Sequence, residues 1–342
     1  MNFLKRMMVF VGWVSRLRRN PPVVSMRSLR GRKHLDRRVT ACGLSRPTLT
    51  FFLLCAGFAQ AAPITVKDDL GHLLTLASPA KRVISLAPSL TEMLFEAGGG
   101  GTLVGAVEYS DYPPEALKAP RIGSNRTLDL ERIARLKPDL ALVWMHGNAQ
   151  REIERLAALK IPMFYVEPHG ITEIPDALVR IGRLVGTEKT ANEAARRFRE
   201  RYAELRAHYA GRPPVRVFYQ VSDRPLLTVN RQQIISDVIG LCGGINVFGQ
   251  EKLLVPELST ESVVAARPEA ILTARLGEDG QGATRAMNEA SLRAWLAFKD
   301  LPAVKHGQLW LIPGSQISRH GPRILDGAEA ICTALEEARR AK

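Results

Sequence analysis

An internal repeat constrains the fold of this chain more than any other feature. Residues 129–139 and 259–269 share one pattern: a helix-capping residue, any residue, Glu, any residue, Ile or Val, three residues, Lys or Arg, Pro and an acid. An apolar run follows each copy, and a second, collinear match relates residues 91–99 to residues 236–244. Two collinear matches predict two related lobes, of which the first has the longer insert between the matched segments.

Short β-rich runs alternate with helical patterns in both halves, as in α/β layers with a mostly parallel sheet. The predicted strands are Arg82–Pro88, Val104–Tyr109, Leu140–Met145, Pro162–Glu167, Val215–Ser222, Ala270–Thr273 and Gln308–Pro313. Between the two series, apolar residues recur every three or four positions from Glu188 to Ala210, which predicts one long helix with Thr187 as its N-cap. This helix either joins the two lobes or is an ordinary surface helix. We expect any ligand to bind in the cleft between the lobes.

The positive charge of the chain is concentrated at its N-terminus. The formal net charge is +14, but residues 1–61 contain twelve basic side chains and one acid, so the body carries only +3. An apolar run, Leu49–Phe58, is followed by Ala59-Gln60-Ala61, the small-x-small pattern of a signal-peptidase site. We therefore predict a signal peptide in residues 1–61, cleaved after Ala61, and a periplasmic body.

Alternatives to a cleaved leader are a membrane anchor or a basic nucleic-acid-binding arm. Ten apolar residues are too few to span a bilayer, which needs about 20. Leu54, which precedes Cys55, does not fit a lipoprotein signal. The segment before the apolar run is long for a signal peptide, which suggests that the true start lies downstream, with Met26 as one candidate.

Few residues suggest catalysis or metal binding. The sequence contains no Walker loop, HExxH, GxSxG or CxxC motif, and its histidines lie singly, so we predict neither an enzyme nor a metal site. Two cysteines, Cys242 and Cys332, remain after export; they form either a disulfide or two separately buried thiols. His146 stands out because it follows a predicted strand, and the carboxyl ends of parallel strands border the ligand crevice.

Glu131 and Glu261 occupy equivalent places in the repeat, each in the first turn of a predicted helix. A carboxylate there complements the helix dipole. The dipole explains one such glutamate, but it does not explain a matched pair with one member in each lobe.

Three strings carry a resemblance to a known family: RVISLAPSLTEMLFEAGGGGTLVGAVEYSDYPPEA, LDLERIARLKPDLALVWMHGNAQREIERL and LCGGINVF. They resemble the periplasmic cobalamin-binding proteins that supply a vitamin-importing ABC transporter, within the wider iron-siderophore and cobalamin class. The resemblance implies a class III periplasmic binding protein: two Rossmann-like lobes, residues 62–186 and 212–342, joined by one backbone helix, residues 187–211. It also implies a monomer that holds a corrinoid such as cobalamin in its cleft.

The same resemblance assigns roles to individual residues. Tyr109 and Trp144 match aromatic residues that contact the corrinoid. The stretch Ser315–Arg319, comprising Ser315, Gln316, Ile317, Ser318 and Arg319, matches a loop of the opposite lobe that closes over the ligand. Glu131 and Glu261 match two glutamates that dock on arginines of the membrane permease dimer, and Cys242 and Cys332 match the family's disulfide.

Several cleft positions depart from the best-known members of this family. Aromatic residues are replaced by Asn125, Val221, Val255 and Gln316, and an aspartate is replaced by Ser315. These losses leave open a different corrinoid, a ferric siderophore or haem as the ligand. A two-lobed α/β enzyme such as a nucleotide-sugar transferase is a remote alternative, against which the leader and the lack of a phosphate-binding loop both argue.

Overall fold

The computed structural model describes residues 63–275 and 289–341. The leader, its cleavage site after Ala61 and the candidate start Met26 lie outside the described residues. Within the described ranges, every helix is too short or too polar to cross a lipid bilayer.

The first lobe begins with an antiparallel hairpin and continues as alternating strands and helices. Its elements are β1 Ile64–Lys67, β2 Leu73–Leu76, β3 Val83–Ser85, α1 Pro88–Glu96, β4 Leu103–Ala106, α2 Leu130–Leu136, β5 Leu140–Val143, α3 Gln150–Ala157, β6 Met163–Tyr165 and α4 Ile174–Val185. Strands β3 to β6 form a parallel sheet in the order β4-β3-β5-β6. The first predicted strand is too long, because Pro88 begins α1, where its fixed φ suits the first helical turn.

The second lobe repeats this topology. After the long helix α5, Glu188–Tyr209, come β7 Val215–Gln220, β8 Ser222–Asp223, β9 Leu226–Leu227, α6 Ile234–Leu241, β10 Gly244–Asn246, α7 Thr260–Ala266, β11 Ala270–Arg275, α8 Pro302–Lys305, β12 Leu309–Pro313, α9 Gly314–Ile317 and α10 Ile324–Arg340. Its parallel sheet has the order β10-β7-β11-β12. In each sheet the strand that comes first in the chain, β3 or β7, therefore lies between the next two, as expected for two related lobes.

The repeated sequence pattern forms a helix with the same caps in each lobe. The side chain of Asp129 accepts a hydrogen bond from the backbone N–H of Arg132 at the start of α2, and Ser259 accepts one from Ser262 at the start of α7. Both are N-cap bonds. Each helix ends at a basic residue with φ 44°, Lys137 or Arg267, which stops the helix before the proline that follows.

The acid that ends each repeat ties the helix to the central strand of its sheet. Asp139 accepts hydrogen bonds from the backbone N–H groups of Lys81 and Arg82, just before β3. Glu269 accepts the equivalent bond from the N–H of Arg216 in β7. These bonds satisfy strand N–H groups at the sheet margin, which gives the Pro-acid ending of the repeat a structural role.

Helix α5 bridges the two lobes. Near its start Ala191, Ala194 and Phe198 enter a continuous apolar core that also contains residues of both sheets. Arg199 pairs with Asp176 of the first lobe, and Arg201 pairs with Asp326 of the second. The expected fold class is therefore confirmed, and the interpretation of α5 as a surface helix of one domain is wrong.

The prediction that Thr187 caps α5 is also wrong. Thr187 precedes the first helical residue, but its side chain makes no capping bond. The hydroxyl instead donates to the carbonyl oxygen of Ala97 at 2.6 Å, just beyond the end of α1. The side chain thus satisfies a carbonyl at the end of another helix.

Cys242 and Cys332 form a disulfide, and both residues are fully buried. The bond joins the end of α6 to α10 across 90 residues of chain. The sequence left open a disulfide or two separate thiols, and the structure shows the disulfide.

Candidate functional site

The predicted first-lobe site residues follow the carboxyl ends of neighbouring strands. Tyr109 follows β4, and Trp144 and His146 follow β5. In an open parallel sheet this edge borders the ligand crevice. On the second lobe, Val221 follows β7 and Ser315–Arg319 follows β12, at the same edge of the second sheet.

A strand was predicted over Val104–Tyr109, but β4 ends at Ala106 and Tyr109 lies in the turn that follows. Its φ of 65° is uncommon for a residue with a side chain, and its side chain remains about half exposed. Its carbonyl oxygen accepts a hydrogen bond of 3.0 Å from Arg319 of the second lobe. The turn therefore places an aromatic ring on the surface beside a contact between the lobes.

Arg319 belongs to an ionic network that joins the lobes and is largely buried except at Asp111. Its guanidinium contacts Glu92 at 2.7 Å and Asp111 at 2.8 Å. Arg323 contacts the same Glu92 carboxylate at 2.7 Å, and its guanidinium lies 3.8 Å from the centre of the Tyr112 ring. We call Glu92, Asp111, Arg319 and Arg323 the inter-lobe latch.

The latch neutralises the charge of Arg319, which the resemblance placed in the loop that closes over the ligand. Burial alone would lower the pKa of Arg319, but hydrogen bonds to Asp111 and Glu92 outweigh it and raise the pKa. Arg319 is therefore a permanent cation shared between two carboxylates. Sequence reasoning missed Glu92, although an acid within the apolar helix run LTEMLF was a usable signal.

Trp144 occupies the first position after β5, and the loop beyond it is built around its indole. A Cβ on Gly147 would lie 1.7 Å from an atom of the indole ring, so only glycine fits there. The side-chain amide of Asn125 donates to the carbonyl oxygen of Gly147 at 2.8 Å. Asn125 therefore supports the Trp144 loop through one of its two amide N–H groups.

His146 is held by a buried carboxylate. Its Nδ1 lies 2.7 Å from Oε1 of Glu167, and its backbone N–H donates to the other oxygen of Glu167 at 3.1 Å. The His146 side chain is 59% exposed, whereas that of Glu167 is 8% exposed. His169 lies beside it, with ring centres 6.4 Å apart. The sequence gave no indication of the Glu167 contact.

His320 of the second lobe contacts Trp144 of the first lobe. Its ring lies edge-on to Trp144 at 6.4 Å, and its Nε2 lies 3.2 Å from the amide nitrogen of Gln233. The Gln233 oxygen accepts from the N–H of Ile235, so the amide donates to His320. Burial lowers the pKa of His320 to about 4, opposed by the nearby Pro168 carbonyl and reinforced by His169. His320 is therefore neutral at neutral pH.

The remaining predicted residues of the second lobe differ in accessibility. Val221, Val255, Ser315, Gln316 and Ser318 are half-buried at the surface, but Ile317 is fully buried in the core. The Ile317 side chain has no exposed surface in this structure, so its contact with a ligand stays a prediction. Its burial anchors α9 against α10, where Gly327 allows the close approach.

Glu131 and Glu261 are exposed at the second position of α2 and α7. Glu131 pairs with Arg135 one turn later. The Glu261 carboxylate accepts hydrogen bonds from its own backbone N–H and from Ser259, which lower its pKa. Both glutamates lie in the first turn of equivalent helices.

Two further observations bear on ligand type. In the part of the chain that the structure describes, no three histidine, cysteine, aspartate or glutamate side chains form a metal-binding cluster. A groove of about 590 Å³ lies between α5 and α6, lined by residues that include Tyr202, Arg206 and Asp237. This groove contains none of the predicted ligand residues.

Comparison with known proteins identifies the family. The model of the family described as "Periplasmic binding protein" matches residues 83–315. The vitamin B12-binding protein of Vibrio cholerae (strain ATCC 39541) is 36% identical over 268 residues, covering 78% of this chain and 94% of that protein. The protein of the same name from Yersinia pestis (strain Pestoides F) is 37% identical over 264 residues, covering 77% and 89%.

Solved structures agree with the sequence comparisons. The crystal structure of the periplasmic vitamin B12 binding protein BtuF of Vibrio cholerae has a TM-score of 0.68 and 37% identity, covering 77% of this chain and 99% of that one. A periplasmic binding protein of Veillonella parvula has a TM-score of 0.69 at 19% identity, covering 80% and 98%, and supports the fold alone. The chain therefore belongs to the periplasmic binding proteins, a family of solute receptors rather than enzymes.

Proposed function

We propose that the protein captures cobalamin or a related corrinoid between its two lobes and delivers it to an ABC permease. The observation that carries this proposal is the identity of 34–37% to proteins named vitamin B12-binding protein, over 89–94% of their length. The geometry supports it, because Tyr109 and Trp144 offer aromatic surface near the junction of the lobes, and planar macrocycles stack well on such surfaces.

The permease contact is proposed to use Glu131 and Glu261, one from each lobe. Their exposure and their equivalent positions on α2 and α7 support this role. A pair of carboxylates related by the symmetry of the lobes suits arginines on the two subunits of a permease dimer. Exposed ion pairs are individually weak, so the two contacts set the orientation and the rate of encounter more than the affinity.

Export and domain limits are part of the same proposal. Residues 1–61 direct export and are removed after Ala61, the lobes comprise residues 62–186 and 212–342, and residues 187–211 bridge them. The mature protein acts as a monomer. N-terminal sequencing of protein recovered from the periplasm tests the cleavage, and a first residue other than Ala62 would contradict it.

The ligand is tested by titrating the purified protein with cyanocobalamin. We expect saturable one-to-one binding at micromolar concentration or below, with the corrinoid released chemically unchanged. Parallel titrations with cobinamide, haem and ferric siderophores serve as comparison arms. Absence of cyanocobalamin binding together with binding of haem or a siderophore would reassign the ligand within the same receptor class.

The docking role is tested with the double variant Glu131→Arg and Glu261→Arg. We expect vitamin uptake through the reconstituted transporter to fall at least tenfold, because two attractive contacts become repulsive, while ligand affinity is unchanged. Glu154→Arg is the matched control: an exposed glutamate on α3, hydrogen-bonded to Gln150. Normal uptake by the double variant would contradict the assignment.

A further inference from the structure

The pair His146 and Glu167 has the geometry of an oriented metal ligand. Nδ1 of His146 faces a buried carboxylate at 2.7 Å, and the same carboxylate accepts the backbone N–H of His146. Metal-binding histidines commonly donate one ring N–H to a carboxylate, which fixes the tautomer and raises the basicity of the other nitrogen. Here that other nitrogen is Nε2, on the far side of a ring that is 59% exposed.

The position of His146 connects this geometry to the cargo. The residue lies two positions beyond Trp144, whose ring meets His320 of the second lobe. No hydrogen-bond partner of Nε2 is found among residues 63–275 and 289–341, and His146 is exposed in the turn that follows β5. The nitrogen is thus open to an external ligand, in the loop that follows Trp144.

A single imidazole is too little to hold a free metal ion, and the described part of the chain contains no cluster of three donors. One imidazole is sufficient for a metal whose other positions are already filled by a macrocycle. A corrinoid provides such a metal, because its ring supplies four in-plane nitrogens and leaves the axial positions for other ligands. The observed donor set therefore fits a chelated metal rather than a free ion.

We propose that Nε2 of His146 is an axial ligand to the cobalt of the bound corrinoid; this inference rests on the proposed function. In an aquated corrinoid the Nε2 lone pair forms a Co–N bond while water departs with the electron pair of the Co–O bond. Cobalt stays trivalent, and Nδ1 keeps its proton toward Glu167. The protein thereby selects corrinoids with an exchangeable axial position over those capped by cyanide.

The second lobe offers little aromatic surface to the ligand, so a metal–nitrogen bond from the first lobe would add to its binding. Among the predicted ligand residues of the second lobe, Val221, Val255, Ser315 and Gln316 have no aromatic ring. Stacking thus comes mainly from Tyr109 and Trp144 of the first lobe. One metal–nitrogen bond adds affinity and fixes the orientation of the macrocycle where stacking surface is limited.

The experiment compares aquocobalamin with cyanocobalamin as ligands of the purified protein. Wild-type protein should shift the visible spectrum of aquocobalamin to that of aquocobalamin mixed with free imidazole. His146→Gln should abolish this shift and lower affinity for aquocobalamin on the order of 100-fold, because substituting even an outer-shell partner of a metal ligand costs about 10–100-fold. Its affinity for cyanocobalamin should fall far less, because cyanide already fills the exchangeable position, and an unchanged thermal unfolding temperature shows that the variant is folded.

The chain offers a matched control in His72, an exposed histidine whose Nδ1 lies 3.6 Å from Asp68 beside the first hairpin. His72→Gln should leave the shift intact, and so should His169→Gln. Loss of the shift in either control, or its persistence in His146→Gln, would overturn the assignment. An unshifted wild-type spectrum with normal cyanocobalamin binding would overturn the inference but leave the proposed function standing. Failure of both corrinoids to bind would overturn both.

Discussion

The two lobes end equivalent helices in different ways. In the first lobe, Ala97 and Gly98 follow α1, and the Ala97 carbonyl accepts the hydroxyl of Thr187 at the start of α5. In the second lobe, Cys242 and Gly243 follow α6, and the Cys242 carbonyl accepts a guanidinium N–H of Arg339 from α10 at 2.7 Å. Both glycines have positive φ, 83° and 70°.

The comparison shows which parts of the fold the repeat encodes. The helix end and its left-handed glycine recur because they are local features of the chain. The donor that satisfies the exposed carbonyl differs, since it comes from whichever helix packs on that lobe. The second lobe adds the disulfide from Cys242, where the first lobe has Ala97 at the matching position. The first lobe thus depends on the bridging helix, and the second on the C-terminal helix.

Of the substitutions that test this comparison, removal of the disulfide should lower the stability of the protein most. For a bond that spans 90 residues, replacing Cys242 and Cys332 by alanine should lower the free energy of unfolding by about 4–5 kcal/mol. Because one core runs through both lobes, the fluorescence of Trp144 in the first lobe should report the loss as strongly as that of Trp310 in the second. Urea unfolding measures both signals. If the urea midpoint reported by Trp144 were the same as in the wild type, the two lobes would instead unfold independently.

Breaking the inter-lobe latch should cause the next largest loss of stability. Glu92→Gln leaves Arg319 and Arg323 without their shared buried carboxylate, and breaking a buried ion pair in this way costs about 3–5 kcal/mol. Thermal unfolding measures the loss. Glu96→Gln, one turn later on α1, removes only an exposed contact to Arg197 and should cost less than about 1 kcal/mol. If Glu92→Gln and Glu96→Gln lowered the stability equally, the inter-lobe latch would not stabilise the junction of the lobes.

Acid should weaken the junction of the lobes through His320. Its pKa is about 4 in the folded protein, against about 6.5 when unfolded, so between these values only the unfolded chain binds the proton. The free energy of unfolding should therefore fall as pH drops from about 6.5 to about 4, by up to about 3 kcal/mol. Unfolding at several pH values tests this, and His320→Gln should flatten the dependence. An unchanged slope in that variant would exclude His320 as the source.

The caps of the repeated helices should have the smallest effect. Asp129→Ala and Ser259→Ala each remove one N-cap bond and should each cost about 1 kcal/mol. Ser259→Ala should also raise the pKa of Glu261 toward its ordinary value, because it removes one of the two hydrogen bonds that lower it. NMR titration of the Glu261 carboxylate measures this. A Glu261 pKa that does not move would show that its own backbone N–H alone sets the shift.

Much of the fold was predictable because its determinants are local. The apolar runs, the alternation of strands and helices, and the repeat with its caps and prolines all act within a few residues, and the structure places them as expected. The exceptions are informative. Thr187 has the sequence of a cap, but its hydroxyl finds a carbonyl 90 residues away, and Tyr109 leaves the predicted strand for a turn.

The candidate site was predictable only in outline. Trp144 and His146 were predicted as site residues from their place at the end of a strand. All parallel strands of a sheet end at the same edge, which borders the ligand crevice. The partners of the site residues were not predictable. Glu92 lies 227 residues along the chain from Arg319, and Glu167 meets His146 only because β6 pairs with β5. Ile317 shows the same limit: a loop position matched by resemblance proved to be enclosed in the core.

The sequence by itself determined the two related lobes, the class of the fold, the matched glutamates and the two cysteines available for a disulfide. These follow from local periodicity and from an internal repeat. Only the tertiary structure decided that Cys242 and Cys332 join, that Arg319 is neutralised by the latch, and that Glu167 orients His146. Each of these depends on the distance between groups brought together by folding, and electrostatic and hydrogen-bond energies are fixed by that distance rather than by separation along the chain.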